Sequence, residues 1–259
     1  MAPLVRSDVV HGVATIALDS PHNRNALSSA LIAQLLAALR AADDNDTVRV
    51  IVLTHTGPVF CSGADLAETA TALATDARPP VGRLGEVLVA IWDSRKPVVA
   101  RVAGPARAGG LGLIAAADIA VCATAATFAF SEVRLGVIPA VISATVLRRL
   151  TPRAAAELYL TGRPFDGTRA AAIGLVTSAV AAGDIDATVR DYVTDLARGG
   201  PTALAGAKAL TQRGGPELRT ELDELTGLSV GYFGSPEGRE GVRAFGEKRD
   251  PVWVPPDPG

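Results

Sequence analysis

The sequence predicts an α/β fold, and three observations carry that prediction. Val48–Thr54 and Pro97–Val102 are apolar almost throughout, as strands covered on both faces of a parallel sheet are. Stretches with leucines at helical spacing alternate with such strands as far as Pro139. Beyond Pro139 the pattern changes and helical stretches dominate. At 259 residues the chain has the length of one large α/β domain, or of a domain with a small appendage. The change of pattern predicts two parts, 1–195 and 196–259, with the boundary inside 185–205.

In chain order, Leu4–Asp8 and Val13–Leu18 are β-prone and flank a turn at His11-Gly12, which predicts a hairpin. The loop Ser20–Leu27 leads to a helix, Ser29–Asp43, with Leu31, Leu35, Leu36 and Leu39 on one face and Ser28 as its N-cap. The strand Val48–Thr54 runs into a tight loop, Gly57–Gly63, and a helix begins near Asp65. Thr75–Pro80 lacks periodicity and is expected to be a mobile loop. Val81–Trp92 carries Leu84, Leu88 and Ile91 at helical spacing. The strand Pro97–Val102 is followed by a glycine cluster, a short helix Leu111–Ala117, and strands Ile119–Ala123 and Thr127–Phe130.

Helices are then expected over Ile142–Leu150, Pro152–Leu160 and Thr168–Ile173, with Thr151 and Pro152 suited to N-cap and N1 of the second. A strand, Leu175–Val180, interrupts them. Asp186–Arg198, Thr202–Gln212 and Glu217–Tyr232 are further helices, Ser235-Pro236-Glu237 opens a last one, and PPDPG forms a tail.

Composition narrows the function classes. Hydrophobic residues make up 48% of the chain and aromatics 4%, so Ala, Val and Leu must build the core. A net charge of −2 provides no basic field for nucleic acid. The chain has no apolar run of eighteen residues and its N-terminal MAPLVRSDVV lacks a signal-peptide core, so no membrane partner is expected. Cys61 and Cys122 form neither a metal-spaced cluster nor a disulfide framework, and His11, His22 and His55 have no ligand spacing, so no metal is expected. These features together predict a soluble cytoplasmic protein.

The chemistry concentrates in Gly104–Pro139. Gly109, Gly110 and Gly112 stand at the mouth of a short apolar helix. A helix N-terminus offers unpaired N–H groups and a partial positive charge, and glycines let a ligand oxygen approach them. Glu132 lies about twenty residues on, in apolar company that drives a carboxyl toward proton-transfer work. If the strand through Thr127–Phe130 stays extended, Phe128, Phe130, Glu132 and Arg134 share a face. A structural Glu132–Arg134 pair is the simpler local reading. Phe60-Cys61-Ser62-Gly63-Ala64-Asp65-Leu66 also leads from a strand into a helix, so two loops could each lend one N–H to a shared oxygen.

Two other matches carry less. Gly110-Leu-Gly112-Leu-Ile-Ala115 has the spacing of a dinucleotide fingerprint, but seven residues separate Val102 from Gly110 and the helix is too short for that crossover. GLSVG at 227–231 matches a nucleophile elbow but sits inside a helical pattern, which makes it a chance match.

Read together, the two glycine loops resemble the crotonase superfamily of enoyl-CoA hydratases and isomerases. Ser20–Leu27 resembles that family's first coenzyme-A loop and FCSGADL its second. GPARAGGLGLIAAADIAV resembles its glycine-rich loop and helix, FAFSEVRLGVIP its glutamate-bearing segment, and SPEGREGVRAFGEKRDPVW its ending. The resemblance implies a ββα spiral core over 1–195, holding coenzyme A and the active site. It also implies a helical oligomerisation region over 196–259 that builds homo-trimers or hexamers. By motif, the two oxyanion N–H groups fall on Ala64 and Gly109, and the base falls on Glu132. Coenzyme A contacts are implied at Arg24 and Ala26 of the first loop, Ser62, Asp65 and Leu66 of the second, and Gly110. Arg24 is the basic residue expected near the phosphates, and Asp65 also suits a helix cap. No cofactor is implied, because coenzyme A belongs to the substrate.

One departure matters. The best-known hydratases use two glutamates, and the first would fall on Gly112. Gly112 together with SEVRLGVIPAVIS resembles methylglutaconyl-type hydratases, whereas loss of the first carboxylate also resembles Δ3,Δ2-enoyl-CoA isomerases. Ala108 stands where family members often have glycine. The expected activity is therefore hydration of a 2-enoyl-CoA, with isomerisation by Glu132 alone or a non-catalytic coenzyme-A scaffold as alternatives.

Overall fold

A computed structural model describes residues 3–75, 77, 80–213 and 217–255. The expected loop Thr75–Pro80 and tail PPDPG lie partly outside the described residues. The chain opens with a hairpin, β1 (Val5–Val10) and β2 (Val13–Leu18), paired antiparallel in the register Val10↔Val13. His11 and Gly12 both hold positive φ, 48° and 80°, as the tight turn of a twisted two-residue hairpin requires. Helix α1 (Ser29–Asp44) follows, its first turn capped by the Ser28 hydroxyl, which accepts from Leu31 N–H. Its buried stripe includes the four predicted leucines.

Next come β3 (Val50–His55), α2 (Leu66–Ala74), α3 (Val81–Trp92), β4 (Val98–Val102), β5 (Ala106–Arg107), α4 (Gly109–Ala116), β6 (Ile119–Ala123) and β7 (Thr127–Ala129). A 3-10 turn over Glu132–Leu135 leads to α5 (Ala140–Val146), α6 (Pro152–Thr161), β8 (Phe165–Asp166), α7 (Gly167–Ala172) and β9 (Ser178–Val180). Helices α8 (Ile185–Arg198), α9 (Pro201–Thr211), α10 (Leu218–Gly234) and α11 (Pro236–Glu247) complete the described chain. None of the described helices is long and apolar enough to cross a membrane.

The larger sheet has the order β1-β2-β3-β4-β6-β9, parallel from β2 onward. Its inner strands are buried on both faces, which accounts for their unbroken apolar sequences. A second, smaller sheet runs β5-β7-β8 and is extended by parallel bridges at Leu27↔Ala64 and Cys61↔Ala106. Each turn of the chain therefore gives one strand to the large sheet, one short extended piece to the small one, and then a helix. That is the expected ββα spiral. The loop after β2 is locked to the loop after β3 by Asn25, which is fully buried at φ 53°. Its side chain accepts from Ser20 N–H at 2.7 Å and donates to the carbonyls of Thr56 and Val59 at 3.1 and 2.8 Å.

Several expectations shift. The short helix starts at Gly109 rather than Leu111, which places two of the three clustered glycines in its first turn. The strand expected over Leu175–Val180 is only Ser178–Val180, and the helix expected over Ile142–Leu150 runs Ala140–Val146. Thr151 stands at the N-cap of α6 without a side-chain capping bond. Helix α10 packs against α3 and α5, and its buried Leu218, Leu222 and Phe233 join the core built by the first part of the chain.

Candidate active site

The first glycine loop is bonded on one side to the second, where Phe60 N–H donates to Pro105 O and Arg107 N–H to Cys61 O at 2.9 Å each, and on the other side to the loop that ends at Leu27. Leu27 N–H donates to Gly63 O at 2.8 Å, and Asp65 N–H reaches back to Leu27 O at 3.4 Å. In this parallel bridge Leu27 spends both of its backbone groups, so the Ala64 N–H faces the other way. Gly63 holds φ +91°, and a Cβ there would lie 2.9 Å from the Cβ of Ala108. Glycine is thus required both for the turn and for the close approach of the second loop.

That second loop is strained. Ala108 has φ 47° and ψ −118°, a backbone conformation that glycine adopts freely and alanine does not. Directly after it α4 begins, with Gly109 as its first residue. The Gly109 N–H has no partner in its own helix. Neither it nor the Ala64 N–H meets an acceptor among the described residues. Both residues line one small cavity of about 40 Å³.

Glu132 lines the same cavity. The strand β7 ends at Ala129 and the chain turns into the 3-10 segment at Glu132, so the shared face with Phe128 and Arg134 does not persist. The Glu132–Arg134 pair does not form. Arg134 Nη2 donates instead to Thr161 O at 3.3 Å, and Glu132 Oε2 is buried without a partner. Only 8% of Glu132 remains exposed, and this burial pushes its carboxyl up to about 7, against a smaller lowering from its own backbone. A carboxyl in that range can both take and return a proton near neutral pH. Burial first, and the Glu132 charge as a lesser cause, also push the neighbouring Tyr159 hydroxyl up, which keeps it neutral.

Gly112 explains what stands where a second carboxylate would fall. A Cβ at Gly112 would lie 2.5 Å from Ile142 Cγ2 and 3.0 Å from its Cβ. Ile142 of α5 fills that space, so the departure is built into the packing and not merely into the sequence. The remaining wall is apolar, with Leu84, Val141 and Ile142 among its residues. Helix α10 supplies Ser229 and Phe233 from far along the chain.

A larger cavity of about 810 Å³ adjoins the first through Ala64, Ala108, Glu132 and Phe233. Of the residues expected at the carrier, Arg24, Ser62 and Leu66 line it. The Arg24 side chain is exposed and, among the described residues, has neither an ion pair nor a hydrogen bond. Ala26, Asp65 and Gly110 line neither cavity. Asp65 caps α2, accepting from the N–H groups of Ala67 and Glu68 at 3.1 Å each. Gly110 lets α4 pack on Cys61, whose Cβ would lie 2.8 Å from a Cβ at that position. Ala26 is buried within the first loop, and its N–H donates to Asn23 O at 3.3 Å. Sequence reasoning missed Arg107, Arg134, Arg249 and Trp253 on the outer cavity, and Ser229 on the inner one. No local pattern gives them a shared site, because they arrive from separate elements.

The chain is similar to known proteins over nearly all of its length. Residues 8–255 match the enoyl-CoA hydratase/isomerase family. The chain is similar to a solved enoyl-CoA hydratase from Mycobacterium avium, 44% identical with a TM-score of 0.86, covering 98% of this chain and 100% of that one. It is also similar to the mitochondrial methylglutaconyl-CoA hydratase of Mus musculus, 31% identical over 254 residues, covering 93% of this chain and 79% of that protein. A third similarity is to a methylmalonyl-CoA decarboxylase solved with 2-nitronate-propionyl-CoA, at 25% identity and a TM-score of 0.80, covering 98% and 99%.

Proposed function

The chain belongs to the enoyl-CoA hydratase/isomerase family of the crotonase superfamily, and on that footing we propose that it adds water to a 2-enoyl-CoA thioester. The observation that carries this reading is one small cavity that joins two unpaired N–H groups, on Ala64 and Gly109, to one buried carboxyl on Glu132.

A thioester oxygen between the Ala64 and Gly109 N–H groups would be held where negative charge develops. As water adds to the β-carbon of a 2-enoyl thioester, the electron pair of the double bond moves toward the carbonyl and an enolate oxygen forms. Each donor aimed at that oxygen is worth about 3 kcal/mol, and the N-terminal end of α4 adds to the field. Glu132 accepts the proton that the water loses and returns it to the α-carbon, which closes the balance as a 3-hydroxyacyl thioester. The nucleotide end of coenzyme A fits the outer cavity, with Arg24 offered to its phosphates. No further cofactor enters this chemistry.

A second reading, Δ3,Δ2-isomerisation, is favoured by one observation. The space beside Gly112 is closed by Ile142, which leaves a single carboxyl in the chamber. Turnover of a panel of 2-enoyl- and 3-enoyl-CoA thioesters of different length and branching separates the two. Turnover of 2-enoyl substrates to 3-hydroxyacyl products is expected, and turnover of 3-enoyl substrates alone would overturn the hydratase reading. The scaffold reading predicts binding without turnover of either.

Residues 196–259 contain the proposed oligomerisation surface, for a homo-trimer or hexamer. The exposed Leu210, Leu228 and Phe245 on its helices support this assignment.

A further inference from the structure

Helix α10 buries Leu218, Leu222, Ser229 and Phe233. Their spacing of four, seven and four residues puts them on one face, directed at α3 and α5. A hydroxyl in that apolar stripe is out of place unless something bonds it.

Two hydroxyls on other helices are satisfied locally. Thr69 donates to Asp65 O and Ser143 to Pro139 O, each at 2.7 Å, the usual bond to the carbonyl four residues back. The exposed Thr161, Thr188 and Thr194 do the same. The Ser229 hydroxyl makes no hydrogen bond to any described residue, and the residue is only 2% exposed. It lines the inner cavity together with Glu132, whose Oε2 is buried without a partner. Glu132 and Ser229 are the two polar side chains among the described residues that line this cavity. An unbonded hydroxyl and an unpartnered carboxyl oxygen in one otherwise apolar chamber make a place for a water or hydroxyl group.

We propose that Ser229 holds the water that adds to the 2-enoyl double bond, taking the orienting part that no side chain at position 112 can take. The inference rests on the hydratase reading. The water gives one proton to Glu132 and its oxygen to the β-carbon, while the hydrogen it keeps is donated to Ser229 Oγ. Ser229 itself neither gains nor loses a proton. It is a specificity residue as well, because proton transfer between two carbons requires no such contact. GLSVG at 227–231 is thus no nucleophile elbow, since its serine sits within a continuous helix, but the serine still faces the chemistry.

The test compares the full-length protein with Ser229→Ala, a change too small to disturb the fold. Three quantities are read: kcat for hydration of 2-butenoyl-CoA, the Kd of saturated butanoyl-CoA, and the melting temperature. The expected result is a kcat lower by about 10- to 100-fold, with Kd within about threefold and the melting temperature not lowered. Removing an orphaned hydroxyl from an apolar face carries no stability loss. A merely structural serine would instead move Kd and melting temperature together with kcat, and that result overturns the proposal. So does a kcat unchanged by the substitution, which leaves the hydratase reading standing. A wild-type protein that hydrates no 2-enoyl-CoA overturns both.

Discussion

Replacing Glu132 by Gln should make this protein more resistant to heat above neutral pH and leave its acid stability nearly unchanged. The reason is the burial that suits Glu132 to proton transfer. In the folded chain its carboxyl rises from 4.5 to about 7, a difference of about 2.5 pH units. At 1.36 kcal/mol for each unit, holding the charge in the cavity costs about 3 kcal/mol of folding stability. The folded value lies above the unfolded one, which fixes the sign. The stability is fully present below about 4.5, falls as pH rises toward 7, and stays at the lower level once Glu132 is ionised in both states. Glutamine has nearly the same shape and never carries that charge. For a chain of this size, about 3 kcal/mol corresponds to roughly 6–12 °C. The assay is thermal unfolding of both proteins at equal concentration from pH 4.5 to 8.5, read as the difference between them so that other groups cancel. A difference that grows by several degrees over that range is expected. A constant difference would refute the idea that Glu132 is held in a desolvated, strained protonation equilibrium.

Three further outcomes follow from the same geometry. Gly112→Glu should fold less stably by about 1–3 kcal/mol, because its Cβ meets Ile142 Cγ2 at 2.5 Å. Adding Ile142→Ala should restore part of the loss in thermal unfolding, and a single variant as stable as wild type would contradict the filled-space account. Ala108→Gly should raise stability, since relief of about 1–3 kcal/mol of backbone strain exceeds the usual cost of glycine, about 0.5–1 kcal/mol. An unchanged or lower melting temperature would show that the φ of 47° is not strained. Arg24→Ala should weaken acyl-CoA binding by about tenfold at low ionic strength and by less in high salt. Calorimetric titration with butanoyl-CoA checks this, and an unchanged Kd removes Arg24 from the carrier site.

Elements with many residues and one clear period were legible in the sequence. The leucine stripe of α1, the stripe of α3 and the apolar runs of β3 and β4 each declare a buried surface, and they lie within a few residues of where the spacing puts them. Strands β5 and β8 have two residues each, too few for any period, and exist because partners distant in the chain pair with them. The Glu132–Arg134 pair failed for a related reason. Alternation of faces holds only while the chain stays extended, and the 3-10 turn at Glu132 ends it. The loops that carry Ala64 and Gly109 were visible, because a glycine between a strand and a helix announces a close approach. Their convergence was not visible from spacing alone and came through resemblance. The walls set by Ile142 and Ser229 were hidden, since each belongs to a helix whose local pattern reads as ordinary packing.

The proposed hydration needs Glu132 to move the proton while the N–H groups of Ala64 and Gly109 hold the developing charge. Its most direct test is steady-state turnover of 2-butenoyl-CoA by wild type and Glu132→Gln, with butanoyl-CoA affinity measured on the same preparations. Active wild type, a kcat lower in the variant by about 10²- to 10⁴-fold, and a Kd within about threefold of wild type are expected. A Glu132→Gln variant that turns over the thioester at the wild-type rate would contradict it.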